Sequence, residues 1–434
     1  MSRMKESAKN YRWFAYLFIL FAYILGAFQK MGLQAVKMTL ESDFGINALQ
    51  YSNLSAAYFY GYAVIQIPSG IMADVLGPKK TSIIGTAAMA VSSVIYGLAS
   101  GYVPMLIARA LMGLGSGVLF VCILKIISVW FDEKEFGTFT GLTSFSGNMA
   151  GCIAQAPLAA LVGYAGWKVS FTGIGILSFI VLALIIIFAK DRPEDMGFPP
   201  VSKLAAKPEN VSISEGLKAV FSCPYTYTFF IVATFCNGIY SVMTTWAIPY
   251  FTDTYGLTVT QAGAITFFLP MVAAFTNFGG GWISDKIKLR KIINIILAFV
   301  CVGSFGVLAF AGKGLPLWAA SVCVLLLGTL VFHSINYGPA KDCLDYKYSG
   351  MVTSTINTGC FIGGAIFPTM FGNIISRDQA VLGSEIAYGN AFRMSFVLTM
   401  LLLITTFFVI ETNGINHSAE IKAGTYKKSV LSIK

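Results

Sequence analysis

RWFAYLFILFAYILGAFQKMGLQAVKMTL, residues 12–40, decides how the rest of the chain reads. A bilayer span takes about 20 mostly apolar residues at about 1.5 Å each, and this stretch is long enough. Yet it carries Lys30 and Lys37. At about 100° per residue, Tyr23, Lys30, Gln34, Lys37 and Glu41 share one face of a continuous helix. A lysine near the bilayer centre costs at least about 2.5 kcal/mol unless it meets water, a partner or a ligand. The polar face is therefore expected to look into a cavity inside the protein. A cationic cavity predicts a small anion as its occupant.

The bulk composition agrees with a membrane setting. Of 434 residues, 56% are hydrophobic and only 12% charged, where soluble domains carry about 25% charged residues. Mean hydropathy is +0.72. Arg3, Lys5, Lys9 and Arg12 lead straight into a full-length segment, with no cleavable-signal pattern. The 8 cysteines are scattered without a CxxC pair, against a disulfide framework and against a metal site. There is no phosphate-binding Gly-x-x-x-x-Gly-Lys-Ser/Thr loop and no HExxH, and there are only 2 histidines. No cofactor, no metal, no nucleic-acid partner and no enzymatic activity are expected.

Working outward, twelve apolar segments follow one another: 12–40, 50–73, 79–98, 103–129, 137–161 and 168–189, then 225–251, 258–283, 291–311, 315–339, 350–375 and 391–411. They are numbered here as spans 1 to 12. The expected fold is an all-α membrane protein of twelve transmembrane helices in two pseudo-symmetric six-helix bundles, residues 1–190 and 225–411. A cytoplasmic linker, 191–224, holds Pro193, Pro199, Pro200, Pro208 and Pro224. A basic tail, 412–434, closes the chain. Lys79, Lys80, Lys190, Arg192, Lys203, Lys207, Lys218, Lys286, Lys288, Arg290, Lys291, Lys341 and Lys347 all fall on the side of the N-terminus. By the positive-inside rule both termini are cytoplasmic, in an inner membrane.

The halves repeat one another. Gly70, Asp74, Gly77, Lys79 and Lys80 sit between spans 2 and 3; Gly281, Asp285, Arg290 and Lys291 sit between spans 8 and 9. Transporters use such repeats to build a central site and rock around it.

Six plus six spans, the linker and the Gly70/Asp74/Gly77/Lys79–Lys80 loop resemble the major facilitator superfamily, over essentially the whole chain. Arg109, Gly113, Gly115 and Gly117 in span 4 are similar to its Arg–Gly motif. Two branches look closest. GYAVIQIPSGIMADVLGPKK (61–80) and NTGCFIGGAIFP (357–368) look like the anion:cation symporters, and DRPEDMGFPP (191–200) looks like the organophosphate:phosphate antiporters. In both, a basic residue of span 1 holds the substrate anion, and Lys30 stands at that position. The chain departs from the symporters at Gln29 and Ser116, where they carry acids. It departs from the antiporters at Tyr240 and Gly147–Asn148, where they carry an arginine and a histidine. The resemblance thus implies a carboxylate in preference to a phosphate ester.

Lys30 is read as the anion anchor, against a structural charge bonded to nearby carbonyls. Lys37 either draws anions into the mouth or pairs with Glu41 four residues on. Arg109 either clamps a carboxylate or, as the resemblance implies, plays a conformational or proton-relay role beside the site. Lys125 is expected to snorkel. Gln34 of span 1, Asn148 and Gln155 of span 5, Asn237 and Tyr240 of span 7, His333 and Asn336 of span 10 and Asn357 of span 11 are candidate cavity lining. The plainer account is interhelical hydrogen bonding, worth about 0.6 kcal/mol each. His333 is the one intramembrane group with a reference pKa near 6.5, hence a candidate proton carrier. Gly70, Asp74, Gly77, Lys79, Lys80, Asp285 and Arg290 are assigned to gating, as electrostatic latches at helix ends.

The expectation is a monomeric secondary transporter that takes up a small organic anion with protons by alternating access. Rivals are amino-acid or siderophore uptake, drug export, and a substrate-sensing receptor on a transporter fold. Export of lipophilic cations would want an acidic cavity, and this one is basic.

Overall fold

The computed structural model describes residues 2–131, 135–154, 156–199, 213–287, 289–311, 314–345, 348–413 and 415–426. All regular structure among them is helical. Among the described residues, eight helices are long and apolar enough to cross a membrane, and a bent pair, Thr138–Ile153 with Pro157–Ala165, makes a ninth candidate. Spans 2 and 3 fall on Ala48–Val75 and Pro78–Gly97. Span 10 is the helix Leu317–Leu326 continued by the 3-10 segment Leu327–Asn336. Each of the twelve apolar segments is therefore helical.

The chain forms two compact units. Unit 1 is Met1–Lys207 with Thr244–Pro270; unit 2 is Pro208–Met243 with Met271–Lys434. The helix Pro224–Tyr255 thus contributes to both.

In unit 1 the first span corrects the expectation of one continuous helix. An α-helix runs from Ser2 to Met31, a 3-10 segment from Gly32 to Val36, and a second α-helix from Lys37 to Phe44. Gly32 marks the break: a Cβ there would stand 2.8 Å from Leu158 Cδ2 and 3.2 Å from the Phe171 ring. The 3-10 geometry has 3.0 residues per turn instead of 3.6. Five such residues turn the following helix by about 100° relative to a straight one. Lys37 and Glu41 therefore leave the face that carries Tyr23 and Lys30.

Span 2 begins at a capping box in which Gln50 N donates to Asn47 Oδ1 at 2.8 Å and Asn47 N to Gln50 Oε1 at 3.0 Å. Spans 2, 3 and 4 approach backbone to backbone. A Cβ at Gly113 would run into the Tyr58 carbonyl, one at Gly61 into the Ala110 carbonyl, and one at Gly115 into the Gly85 carbonyl. That contact needs glycine on the facing turns. At one end of the unit, Tyr16, Ile123, Ile127, Trp130, Phe131 and Phe139 form a buried core. Ile176, Phe179, Ile180 and Ile187 of span 6 are exposed, as befits a surface facing hydrocarbon.

In unit 2 the short helix Ile213–Ser222 docks on the start of span 11, where Tyr348 Oη donates to Glu215 Oε1 at 2.7 Å. The segment after span 12 folds back over the end of span 10. Thr412 Oγ1 donates to Asp342 Oδ2 at 2.7 Å, Asn416 Nδ2 to the Leu344 carbonyl at 2.9 Å and Lys422 Nζ to Asp345 Oδ2 at 2.6 Å.

Candidate functional site

Lys30 sits in the last turn of the first α-helix, where the negative end of the helix dipole favours a cation. It is half-buried, and its Nζ lies 5.1 Å from the centre of the Phe59 ring. The residue before it is fixed from the side. Arg109, 1% exposed, donates from Nη1 to the Gln29 carbonyl at 2.8 Å and from Nε to the Leu54 carbonyl at 3.0 Å. Its guanidinium lies 5.0 Å from the Tyr58 ring centre. Arg109 therefore joins spans 1, 2 and 4 through backbone carbonyls, and Gln29 is held where Lys30 begins. Below it, Tyr58 Oη and Ser116 Oγ are 2.7 Å apart. Gln34 is 2% exposed, and both polar atoms of its amide lack a hydrogen-bond partner among the described residues.

Lys37 occupies a different environment from the open mouth expected for it. It is 2% exposed, 2.8 Å from Asp253 Oδ2 and 3.1 Å from Glu41 Oε1, with the Trp246 ring centre 5.7 Å from its Nζ. The pairing with Glu41 was among the sequence expectations. Asp253 was not: it lies two residues past the apolar limit of span 7, where the sequence reads as loop. The signal was an acid at the end of a span opposite a lysine at the end of another. The Thr244–Tyr255 stretch is further held in unit 1 by Tyr51 Oη, which donates to the Thr245 carbonyl at 2.9 Å, and by Ser55 Oγ, 2.9 Å from Thr245 Oγ1.

The other candidate lining residues are spread through the two units. In unit 1, Asn148 Nδ2 donates to the Ser144 carbonyl one turn back at 3.0 Å. Gln155 lies outside the described residues. In unit 2, Asn237 Nδ2 donates to the Cys360 carbonyl at 2.7 Å, Tyr337 Oη to Asn357 Oδ1 at 3.3 Å, and Asn294 Nδ2 to Asn336 Oδ1. Tyr240 is 5% exposed. The side chain of His333 lies outside the described residues, though its backbone belongs to the 3-10 segment Leu327–Asn336.

The loop motifs show a shared construction that sequence reading missed. Gly77 takes φ +85° ahead of span 3, a left-handed conformation that favours glycine. There the Lys79 backbone N–H donates to Asp191 Oδ1 at 2.7 Å, and Lys79 Nζ to the Ile186 carbonyl at 2.7 Å. In unit 2 the Lys291 backbone N–H donates to Glu411 Oε2, also at 2.7 Å. A carboxylate at the end of the sixth span of each half thus caps the helix that begins the third span of that half. In unit 1 this corner borders a cavity of about 250 Å³ lined by Gly77, Lys125, Asp191, Arg192 and Asp195. Arg290 Nη1 is 3.6 Å from Asp342 Oδ2. Gly70 is half-buried and Lys80 exposed. The side chains of Asp74 and Asp285 lie outside the described residues, so their latching roles remain expectations.

Comparison with known proteins places this architecture. The chain is 26% identical over 391 residues to a hexuronate transporter of Bacillus subtilis, covering 86% of this chain and 90% of that protein. It is 26% identical over 372 residues to the probable sulfoacetate transporter SauU of Cupriavidus necator, covering 82% and 85%. Among solved structures, a bacterial homolog of the human lysosomal transporter Spinster superposes with TM-score 0.74 at 16% identity, covering 96% of this chain and 99% of that one. The Major Facilitator Superfamily model matches residues 19–368, and the chain belongs to that superfamily of membrane transporters.

Proposed function

We propose that this protein is a secondary transporter of the inner membrane that takes up a small organic anion, a carboxylate, together with protons by alternating access. The observation that carries the reading is Lys30, a half-buried ammonium at a helix C-terminus in the middle of a membrane span. Such a cation is retained inside a span for a pathway or a ligand. The two other cations described on spans 1 and 4 near it, Lys37 and Arg109, are engaged by Asp253 and Glu41 and by backbone carbonyls. Tyr240 and Gly147–Asn148, where the phosphate antiporters carry an arginine and a histidine, favour a carboxylate over a phosphate ester. Relatives named for hexuronate and sulfoacetate transport support an anionic cargo.

The test is uptake into proteoliposomes of radiolabelled glucuronate, galacturonate, sulfoacetate and phosphate under an inward proton gradient. At least one carboxylate is expected to accumulate. Lys30→Ala is expected to raise its half-saturation concentration about 30-fold, as for loss of roughly 2 kcal/mol of charge-assisted binding. Wild-type kinetics in Lys30→Ala would remove the anchor. Tyr240→Phe and Asn357→Ala in unit 2 are assayed separately in the same way.

A further inference from the structure

We propose that Asp253 carries the coupled proton and that Lys37 passes from Asp253 to the transported anion. This rests on the uptake reading above and supplies its coupling chemistry.

The twelve apolar segments contain no Asp or Glu except Glu411, the last residue of the last one. A carboxylate that binds the coupled proton must then stand at a span end. Asp253 stands there beside an intramembrane lysine. Lys37 is 2% exposed, Asp253 12% and Glu41 38%. Water screens the pair with Glu41, so the shorter and drier contact with Asp253 is the one that neutralises the ammonium.

The other groups around Asp253 fit this role. Lys37 and Glu41 face it from span 1, and Tyr51, electrostatically linked to both acids, faces it from span 2. On its own helix Thr252 Oγ1 donates to Asp253 Oδ1 at 3.1 Å. The Trp246 ring covers Lys37 and packs edge-on against Tyr51, centroids 5.2 Å apart. Two carboxylates and one ammonium sum to one negative charge, which repels an approaching anion. A proton from the outer solution bonds to a carboxylate oxygen of Asp253 and brings the sum to zero. The resulting neutral carboxyl is a weaker partner for the ammonium. Lys37 then accepts the carboxylate of the cargo in its place. When the anion leaves on the other side, Asp253 releases the proton there and the pair re-forms. One proton and one monoanion cross together, and no net charge moves.

Two measurements decide it. Trp246 lies close enough to Lys37 for its emission to follow the pair, so purified full-length protein is titrated from about pH 3 to pH 8.5 without any substrate, a range that brackets carboxylate and imidazole titration. Wild type is expected to show a reversible change in tryptophan emission that Asp253→Asn and Lys37→Gln abolish and that Glu41→Gln and His333→Gln retain. The proposal is overturned if the change survives in Asp253→Asn, if Glu41→Gln or His333→Gln removes it, or if wild type shows none. In proteoliposomes, the acid that wild type accumulates is then followed with an internal pH dye. Asp253→Asn is expected to lose gradient-driven accumulation and internal acidification yet keep exchange of labelled for unlabelled acid. Proton-coupled accumulation that persists in Asp253→Asn sinks the coupling role and leaves the uptake reading intact. If wild type moves none of the acids the uptake reading fails, and the emission titration still decides the Lys37–Asp253 pair.

Discussion

Arg109 shows how a residue can be conspicuous in the sequence for one reason and built into the fold for another. Its three-fold glycine neighbourhood and its place in a span marked it as a clamp for an anion or as a conformational or proton-relay residue. Two of its donors instead end on the carbonyls of Gln29 and Leu54. Removing the side chain leaves both carbonyls buried with fewer donors. Arg109→Ala is therefore expected to destabilise the protein by roughly 2–3 kcal/mol, read as a lower thermal unfolding midpoint in detergent. Arg109→Lys, with one flexible ammonium, is expected to recover part of that loss. A variant as stable as wild type would mean that these bonds contribute little. Lys30 and Lys37 were legible as cations in a span because charge inside hydrocarbon is costly wherever it occurs. The partner Asp253 was not, because nothing local joins residue 37 to residue 253. Only the folded contact does.

At the scale of helices, the apolar runs were readable almost to their ends, since length and hydropathy are properties of each segment alone. The break in span 1 was not, because the residues that crowd Gly32 there, Leu158 and Phe171, lie far along the chain. The capping carboxylates belong here too. Asp191 and Glu411 each accept from the backbone N–H of the second residue of a helix, where a side-chain acceptor is worth about 1 kcal/mol and a negative charge adds to it through the helix dipole. Asp191→Ala and Glu411→Ala are each expected to lower stability by about 1 kcal/mol, and the losses are expected to add because the two corners lie in different units. Asp191→Asn keeps an acceptor and should cost less than Asp191→Ala. Chemical or thermal unfolding of the two single variants and the double variant checks both statements; equal losses for Ala and Asn would point to charge alone.

For the whole molecule, the low charge content and the repeated Gly-x-x-x-Asp loops made the architecture visible before any coordinates, because a bilayer imposes the same length on every span. The cargo was less visible. A sequence reveals which cations it spends inside the membrane, yet which of them are already matched by protein groups emerges only after folding, as Lys37 and Arg109 show.

The glycine contacts among spans 2, 3 and 4 carry one more consequence. Where Gly113 meets the Tyr58 carbonyl and Gly115 the Gly85 carbonyl, no layer of side chains remains to slide, and a shift of even a fraction of an ångström drives backbone into backbone. These three spans are expected to move as one piece in the proposed transport cycle. Flexing is then expected in the 3-10 stretch of span 1. Spin labels on spans 2 and 4 should keep one narrow separation with and without cargo, while a label pair reaching across Gly32–Val36 should broaden or shift.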